Sequence, residues 1–328
     1  MVTKVDASVV GDQVIGRRNL IINGDMRINQ RGDTTGSTGF YSIDRWRTYS
    51  SANVAVSQQT FTVGQTDVPN FPKNYIRLVP TSATFTLSQR IEDVTVLGGK
   101  EVTLSFWIKG SAAQTFGIQH TRYYGSGGSS AESTTVATNF NVTTSWTKVT
   151  STFTVPSVSG KTINAGSYFQ LTIGGGGEFT SSNTIEITQV QLEVGDTATS
   201  FEHRSLGEEL NLCKRYYQQL SSIYGHPCWC WATNTCGTTM PLDVEMRINP
   251  TGTYGGNFGN LQSATNEIGI YKTAFVTVNS MTIATDAPSS NARLIRLTFA
   301  LASSSVAAND AVGLYMGVDA IIKLDSEL

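Results

Sequence analysis

His226, Cys228, Cys230 and Cys236 crowd one short stretch of the chain, the only place where soft metal ligands gather. Structural zinc sites commonly pair cysteines as C-x₂₋₄-C, and the C-x-C-x₅-C spacing here departs from that pattern. The same residues read as a strand, with Cys228 and Cys230 on one face and Trp229 and Trp231 on the other. Four free thiols and no metal are therefore expected, since free cysteine usually behaves as a small buried hydrophobe. Gly160-Lys161-Thr162 resembles the end of a phosphate loop, but Val155 stands where the first glycine is needed. Gly174–Gly177 lacks the last glycine of a dinucleotide loop, with Phe179 in its place, and reads as an ordinary turn. No G-x-S-x-G elbow occurs. Glu92 with Asp93, or Glu186 with Glu193, could serve a glycosidase only at the right separation in space. Surface and turn carboxylates are far commoner than catalytic pairs, so the expectation is that this is not an enzyme.

Aromatic rings are the remaining chemistry. Trp and Tyr offer apolar area with a polar handle, which suits stacking on sugar faces. Tyr123, Tyr124 and Trp146 border turns in the first half, and Tyr254 and Phe258 flank a Gly- and Asn-rich stretch, Thr251–Asn266, expected to be an exposed loop. These five are the candidate ligand-binding residues, Tyr254 and Phe258 foremost.

The elements that would carry them are strands. Charged residues make up 15% of the 328 residues, well below the ~25% of ordinary soluble domains, and Gly, Ser, Thr and Asn fill the gap. That composition suits a β protein with many turns. In Val102, Leu104, Phe106 and Ile108 the apolar residues share one face while Thr103 and Ser105 take the other. About ten such runs between Arg17 and Arg204 predict an N-terminal jelly-roll β-sandwich over 17–204. Ser205 and Glu208 fit a capping box, and Leu206, Leu210, Cys213, Tyr217 and Leu220 follow at spacings of 4, 3, 4 and 3. This predicts a short helical neck over 205–222, whose stripe would be a contact between chains of a trimer. Strands return over 223–328 as a C-terminal β-sandwich domain, so the chain is all-β apart from the neck.

Residues 1–16 have too little apolar mass to fold alone. Val2, Val5, Val9, Val10, Val14 and Ile15 could dock in a groove or add a strand to a partner's sheet, so the segment is expected to attach the chain to a larger particle. Asp6 and Asp12 interrupt the apolar core that a secretion signal needs, and synthesis in a cytoplasm without export by that route is expected. No run of 18 apolar residues exists, so no membrane insertion is expected. With 23 Lys and Arg against 25 Asp and Glu, the net charge of −2 gives no footprint for nucleic acid.

The order of motifs adds a resemblance. RNLIINGDMRINQRG (Arg18–Gly32), YSIDRW (Tyr41–Trp46), LSQRIEDV (Leu87–Val94), GKEVTLSFWIKG (Gly99–Gly110), SWTKVT (Ser145–Thr150), ITQVQLEVGDTATSFEHRSLGEELNLCKRYYQ (Ile187–Gln218), PLDVEMRINPT (Pro241–Thr251) and the terminal LDSEL (Leu324–Leu328) resemble tail-fibre and virion proteins of tailed bacteriophages, many from marine and cyanobacterial hosts. That resemblance implies a homotrimeric virion structural protein, made in the bacterial host cytoplasm, that joins another phage virion protein through its N-terminal segment. A tail fibre bound to a host surface glycan is the leading expectation. A head fibre or capsid decoration protein is the second, and a glycan-degrading enzyme the third. NLIINGDM and the ITQVQLE strand also resemble the jelly-roll carbohydrate-binding modules of bacterial glycanases. Many of those hold a structural calcium near these two segments. Asp25 is kept here, but Gln189 stands where an acidic residue is usual; no cofactor is expected, with room for that one calcium.

Overall fold

The computed structural model describes residues 17–40, 42–255, 257–258, 267–272, 275–284, 292–301, 306–317 and 319–328. The chain forms two compact units, divided between Glu209 and Leu210, with Leu328 counted in the first. The attachment residues Val2 to Ile15 lie outside the described residues. No helix among the described residues is long and apolar enough to cross a membrane.

Unit 1 has twelve described strands: β1 (Thr34–Gly36), β2 (Gly39–Phe40), β3 (Arg47–Ser50), β4 (Val54–Thr60), β5 (Asn74–Pro80), β6 (Phe85–Glu92), β7 (Glu101–Gly110), β8 (Gln114–Tyr123), β9 (Glu132–Val142), β10 (Thr147–Thr154), β11 (Tyr168–Ile173) and β12 (Ile185–Val194). They pair antiparallel in two six-stranded sheets, β1-β4-β5-β12-β7-β10 and β2-β3-β6-β11-β8-β9. Apart from the same-sheet pairs β2–β3, β4–β5 and β8–β9, the chain crosses to the other sheet at each step, as in a jelly roll. The expected alternation in β7 is what drives this: Val102, Leu104, Phe106 and Ile108 are fully buried. Phe106 meets Phe116 of β8 across the sandwich at 6.3 Å between ring centroids, and Phe116 meets Phe179 at 5.2 Å. Apolar faces of two sheets thus make one core.

The resemblance-bearing blocks meet in one buried polar seam. Asn19 Nδ2 donates to the Val190 carbonyl at 3.1 Å, while its Oδ1 accepts from the Ile21 and Leu192 amides at 3.0 and 3.2 Å. Gln89 takes both backbone groups of Ile22, each at 2.8 Å. Gly24 is required by close approach: a Cβ there would stand 2.1 Å from the Val190 carbonyl oxygen, and the Val190 amide donates to the Gly24 carbonyl at 2.9 Å. Asn23, at φ 58°, satisfies the turn around it, its side chain bonding the Ile28 amide and the Ile28 and Asp44 carbonyls. Buried backbone groups with no strand partner need such side chains.

The helix is shorter than its spacing predicts. It runs Leu206–Lys214, and Tyr217–Ser221 is a strand, β13, so the stripe breaks between Cys213 and Tyr217. Ser205 Oγ accepts from the Glu208 amide at 3.2 Å, which is the expected cap. Leu206 is 52% exposed, whereas Cys213 is fully buried and Tyr217 is 3% exposed. The aromatic pair Tyr216-Tyr217 favours a pleated surface, and β13 gains a full ladder with β22 (Ile321–Asp325), setting Leu220 against the unit 2 core. Leu206, Leu210, Cys213, Tyr217 and Leu220 are therefore not one continuous helical stripe.

Unit 2 continues with β14 (Tyr224–Ala232), β15 (Thr235–Met246), β16 (Thr251–Gly255), β17 (Asn257–Phe258), β18 (Glu267–Tyr271), β19 (Phe275–Ala284), β20 (Ala292–Leu301), β21 (Ala311–Met316) and β22. The larger sheet runs β17-β18-β19-β20-β15-β14-β21, and β18 also pairs with β21. Six strands thereby close on themselves, which removes exposed edges. A second sheet, β13-β22-β16, covers part of the same core.

Two further expectations are corrected here. Residues Thr251–Gly255 are paired with β22 rather than lying in a free loop, because Thr251, Thr253 and Tyr254 suit a ladder. Cys230 and Cys236 are disulfide-bonded, not free: the β14–β15 hairpin sets them directly opposite, with Cα atoms 3.9 Å apart. Cys213 and Cys228 are buried free thiols. Burial pushes the Cys228 thiol up to about 12, far from a thiolate ligand.

Candidate functional site

The outer face of the β2-β3-β6-β11-β8-β9 sheet carries a cleft of about 360 Å³. Strand alternation builds it, because residues whose neighbours fill the core must point the other way. Three rows cross the sheet by register. Arg47, Ser88, Thr172, Gln119 and Thr135 form one, and Arg90, Gln170, Thr121 and Ser133 the next. Tyr168 and Tyr123 lie side by side in the third, with ring centroids 4.7 Å apart. Tyr49 rises at the other end, 57% exposed.

The floor is polar and mostly sunk. Thr86, Ser88 and Thr172 are buried. Arg90 is held in place by several contacts: its guanidinium lies 4.4 Å from the Tyr168 ring centroid, its Nε donates to Gln170 Oε1 at 2.9 Å, and an Nη donates to the Leu328 carbonyl. Gln170 Nε2 in turn donates to Thr172 Oγ1 at 3.2 Å. Gly175 and Gly176 make one wall. A Cβ on Gly175 would stand 2.6 Å from Cβ of Gln119, and one on Gly176 2.6 Å from Thr135 Cγ2, so only glycine lets this backbone lie against the sheet. The Gly117 amide donates to the Gly177 carbonyl and the Gly174 amide to the Gly117 carbonyl, both at 2.8 Å, which fixes the wall. The stretch read from sequence as an ordinary turn is a turn that also lines the cleft. Glu178 is the one carboxylate among the described lining residues, and Thr84 Oγ1 donates to it at 2.5 Å. A row of hydroxyls, amides and guanidinium N–H groups flanked by rings can bind a polyol. It offers no carboxylate pair for hydrolysis.

Of the candidate residues, Tyr123 alone is brought to this face. Tyr124 is fully buried, its hydroxyl donating to Glu132 at 2.7 Å and pushed up to about 12 by burial, so it cannot stack on a ligand. Trp146 belongs with the other sheet, in a group with Phe61 and Tyr75 at 5.3 and 5.5 Å. Tyr254 is 41% exposed on β16 of unit 2, and the Phe258 side chain lies outside the described residues. Three of the four carboxylates in the pairs considered are tied to partners within the fold. Asp93 Oδ1 accepts from the Thr95 amide at 2.9 Å, Glu186 is held by Arg77 at 2.6 Å and Lys109 at 3.4 Å, and Glu193 accepts from the Thr199 amide at 2.8 Å. The sequence reading missed Tyr49, Tyr168, Arg47, Arg90, Gln119 and Gln170. Their signal was the polar half of each alternating strand, visible in Gln119/Thr121 and Gln170/Thr172.

The residues around Asp25 do not fit the calcium for which the resemblance left room. Calcium takes six to eight oxygen ligands. Here the Asn19 and Ile21 carbonyls both accept from the guanidinium of Arg204, the latter at 2.9 Å, and Gln189 presents an amide that donates to the Pro69 carbonyl at 3.2 Å. No group of three or more His, Cys, Asp or Glu side chains that could hold a metal is found among the described residues.

Residues 37–172 match the family described as "Carbohydrate binding domain", a span that includes β3, β6, β8 and nearly all of β11. No curated protein matches the chain. Among solved structures, the CBM22-1 xylan-binding domain of Paenibacillus barcinonensis Xyn10C is similar at 16% identity, over 55% of this chain and 96% of that one, with a TM-score of 0.35. The enzymatically active domain of tailspike protein 4 of bacteriophage CBA120 is similar at 16% identity, over 54% of this chain and 22% of that one, with a TM-score of 0.34. The CBM22-1–CBM22-2 tandem of Xyn10C aligns over 95% of this chain and 97% of its own, at 10% identity and a TM-score of 0.34. Unit 1 is thus a β-sandwich similar, over residues 37–172, to carbohydrate-binding domains.

Proposed function

We propose that this chain is a virion structural protein of a tailed phage, acting as a fibre subunit without enzymatic activity, and that unit 1 holds a host surface glycan on the outer face of its β2-β3-β6-β11-β8-β9 sheet. The observation that carries the glycan reading is the cleft itself. Exposed Tyr49 and the Tyr168–Tyr123 pair flank rows of hydroxyl, amide and guanidinium groups, within strands that match a carbohydrate-binding family. Adhesion accordingly belongs to unit 1 rather than to Tyr254 and Phe258. The virion reading rests on the order of the motif blocks from Arg18 to Leu328. Rings at the ends orient a sugar chain by stacking, while the sunk hydroxyls read its hydroxyl pattern. The test is binding of the purified chain to an array of bacterial surface polysaccharides. Tyr168→Ala, which removes a ring and one of the contacts that hold Arg90, is expected to weaken the best-bound polysaccharide at least tenfold, about 1.4 kcal/mol. Tyr254→Ala should leave it unchanged. Binding by wild type that survives Tyr49→Ala and Tyr168→Ala together would remove the site from this face.

A fibre would gain avidity from several copies, and the chain is expected to sediment as a homotrimer. With the stripe broken between Cys213 and Tyr217, a continuous helical seam is not the basis of that contact. A monomer at micromolar concentration in sedimentation velocity would exclude the trimer.

A further inference from the structure

We propose that the Arg204 guanidinium is a built-in cation that locks the start of unit 1 to the residues following β12, so that unit 1 holds its fold without a structural metal ion. Arg204 is buried, and its donors reach the Asn19 carbonyl, the Ile21 carbonyl at 2.9 Å and both carboxylate oxygens of Glu209 at 3.1 and 3.4 Å. Glu209 is buried as well, and its Oε1 also accepts from the Asn23 amide at 2.6 Å. One guanidinium therefore gathers two backbone carbonyls and a carboxylate, and the carboxylate ties back to the same N-terminal turn. This is a task for arginine, whose planar fork is permanently charged and presents several donors at once. Bound calcium would draw the same kinds of oxygen together, without N–H directionality.

The charge count argues against a second cation. Two buried carboxylates, Asp25 and Glu209, face two cations, Arg27 at 3.7 Å from Asp25 and Arg204. The two buried carboxylates are already matched by cations, and Glu202 is engaged by the Asn19 amide at 2.9 Å, so a divalent ion would add +2 next to two guanidinium groups. Two carbonyls suited to such an ion point at a positive group instead. Gln189 fits this arrangement: a neutral amide at that position adds no third negative charge, and it serves as a donor to the Pro69 carbonyl.

The experiment is thermal unfolding of the full chain after exhaustive EDTA dialysis, with and without millimolar CaCl₂, beside elemental analysis of the dialysed protein. The expected result is a Tm that agrees within about 2 °C in both conditions and no retained calcium. A Tm that falls on chelation and returns with calcium, or one calcium ion retained per chain, would overturn the proposal. Arg204→Met should lower Tm by ~10 °C, because Glu209 is left as a buried charge without its partner. Glu209→Gln should fall as well, and the double variant should fall no further than the worse single one. Additive losses would show that the two side chains do not act as one lock. If Arg204→Met fails to fold, the wild-type metal titration still decides.

Discussion

Asp25→Asn is expected to make unit 1 more stable at pH 7, not less. Asp25 is buried, and its Oδ1 has no hydrogen-bond partner. Burial, with the nearby Glu209 adding to it, raises its carboxyl from 3.8 to about 6, although Arg27 pulls the other way. A folded-state pKa above the unfolded one means that the native protein holds a proton the unfolded chain has released. Stability from this group is complete below about pH 3.8 and is lost as pH rises through about 6. At ~1.36 kcal/mol per pH unit, the ionised form costs about 3 kcal/mol at pH 7. An amide of the same shape avoids that ionisation, so a gain of about 1–3 kcal/mol is expected in urea unfolding at pH 7, shrinking to nothing near pH 4. A loss at pH 7 that calcium deepens would mean that Asp25 ligates a cation, and the metal-free lock would fall with it.

Asp25 also shows what was legible in the sequence. The blocks Arg18–Gly32 and Ile187–Gln218 contain the two segments near which similar modules hold a calcium. Here Asn19, Asn23, Arg204 and Glu209 of these blocks, with Gln89, form a buried polar seam in which each group needs its own partner. The strands were legible because one residue in two must enter the core, as in Val102 to Ile108. The cleft was not, since its residues come from β3, β6, β8 and β11 and meet only through sheet order. Alternation tells that Gln170 and Thr172 share a face, not that Arg47 and Gln119 lie in the same row. The stripe from Leu206 to Leu220 misled for a related reason. Five residues at helical spacing satisfy the period, but the ladder from Tyr217 to Ser221 with β22 fixes those backbone groups first. The Cys230–Cys236 bond was hidden in the same way, because only the hairpin register sets the two opposite one another.

His120→Phe should remove an acid lability that wild type conceals. His120 is fully buried between Phe153 and Phe169, with ring centroids at 5.5 and 5.2 Å, and neither ring nitrogen has a hydrogen-bond partner. Burial, then the charge of Arg122, lowers its pKa from 6.5 to about 4. The sign is opposite to that of Asp25. The folded protein refuses a proton that the unfolded chain takes, so stability present above pH 6.5 is lost as pH falls toward 4. The full span is worth about 3 kcal/mol. Between pH 6 and pH 4 this loss and the Asp25 gain run against each other and are of similar size, so these two groups leave the wild-type profile nearly flat there. Phenylalanine extends the stack already formed by Phe153 and Phe169, and it removes two unsatisfied buried nitrogens at ~1–3 kcal/mol of desolvation each. His120→Phe is therefore expected to match or exceed wild type at pH 7, and to gain about 3 kcal/mol over wild type by pH 4. Asp25→Asn should show the reverse, stronger than wild type at pH 7 and falling steeply on acidification. Urea unfolding across pH 4–7 separates the three proteins. Parallel profiles for all three would mean that neither group titrates as its burial requires.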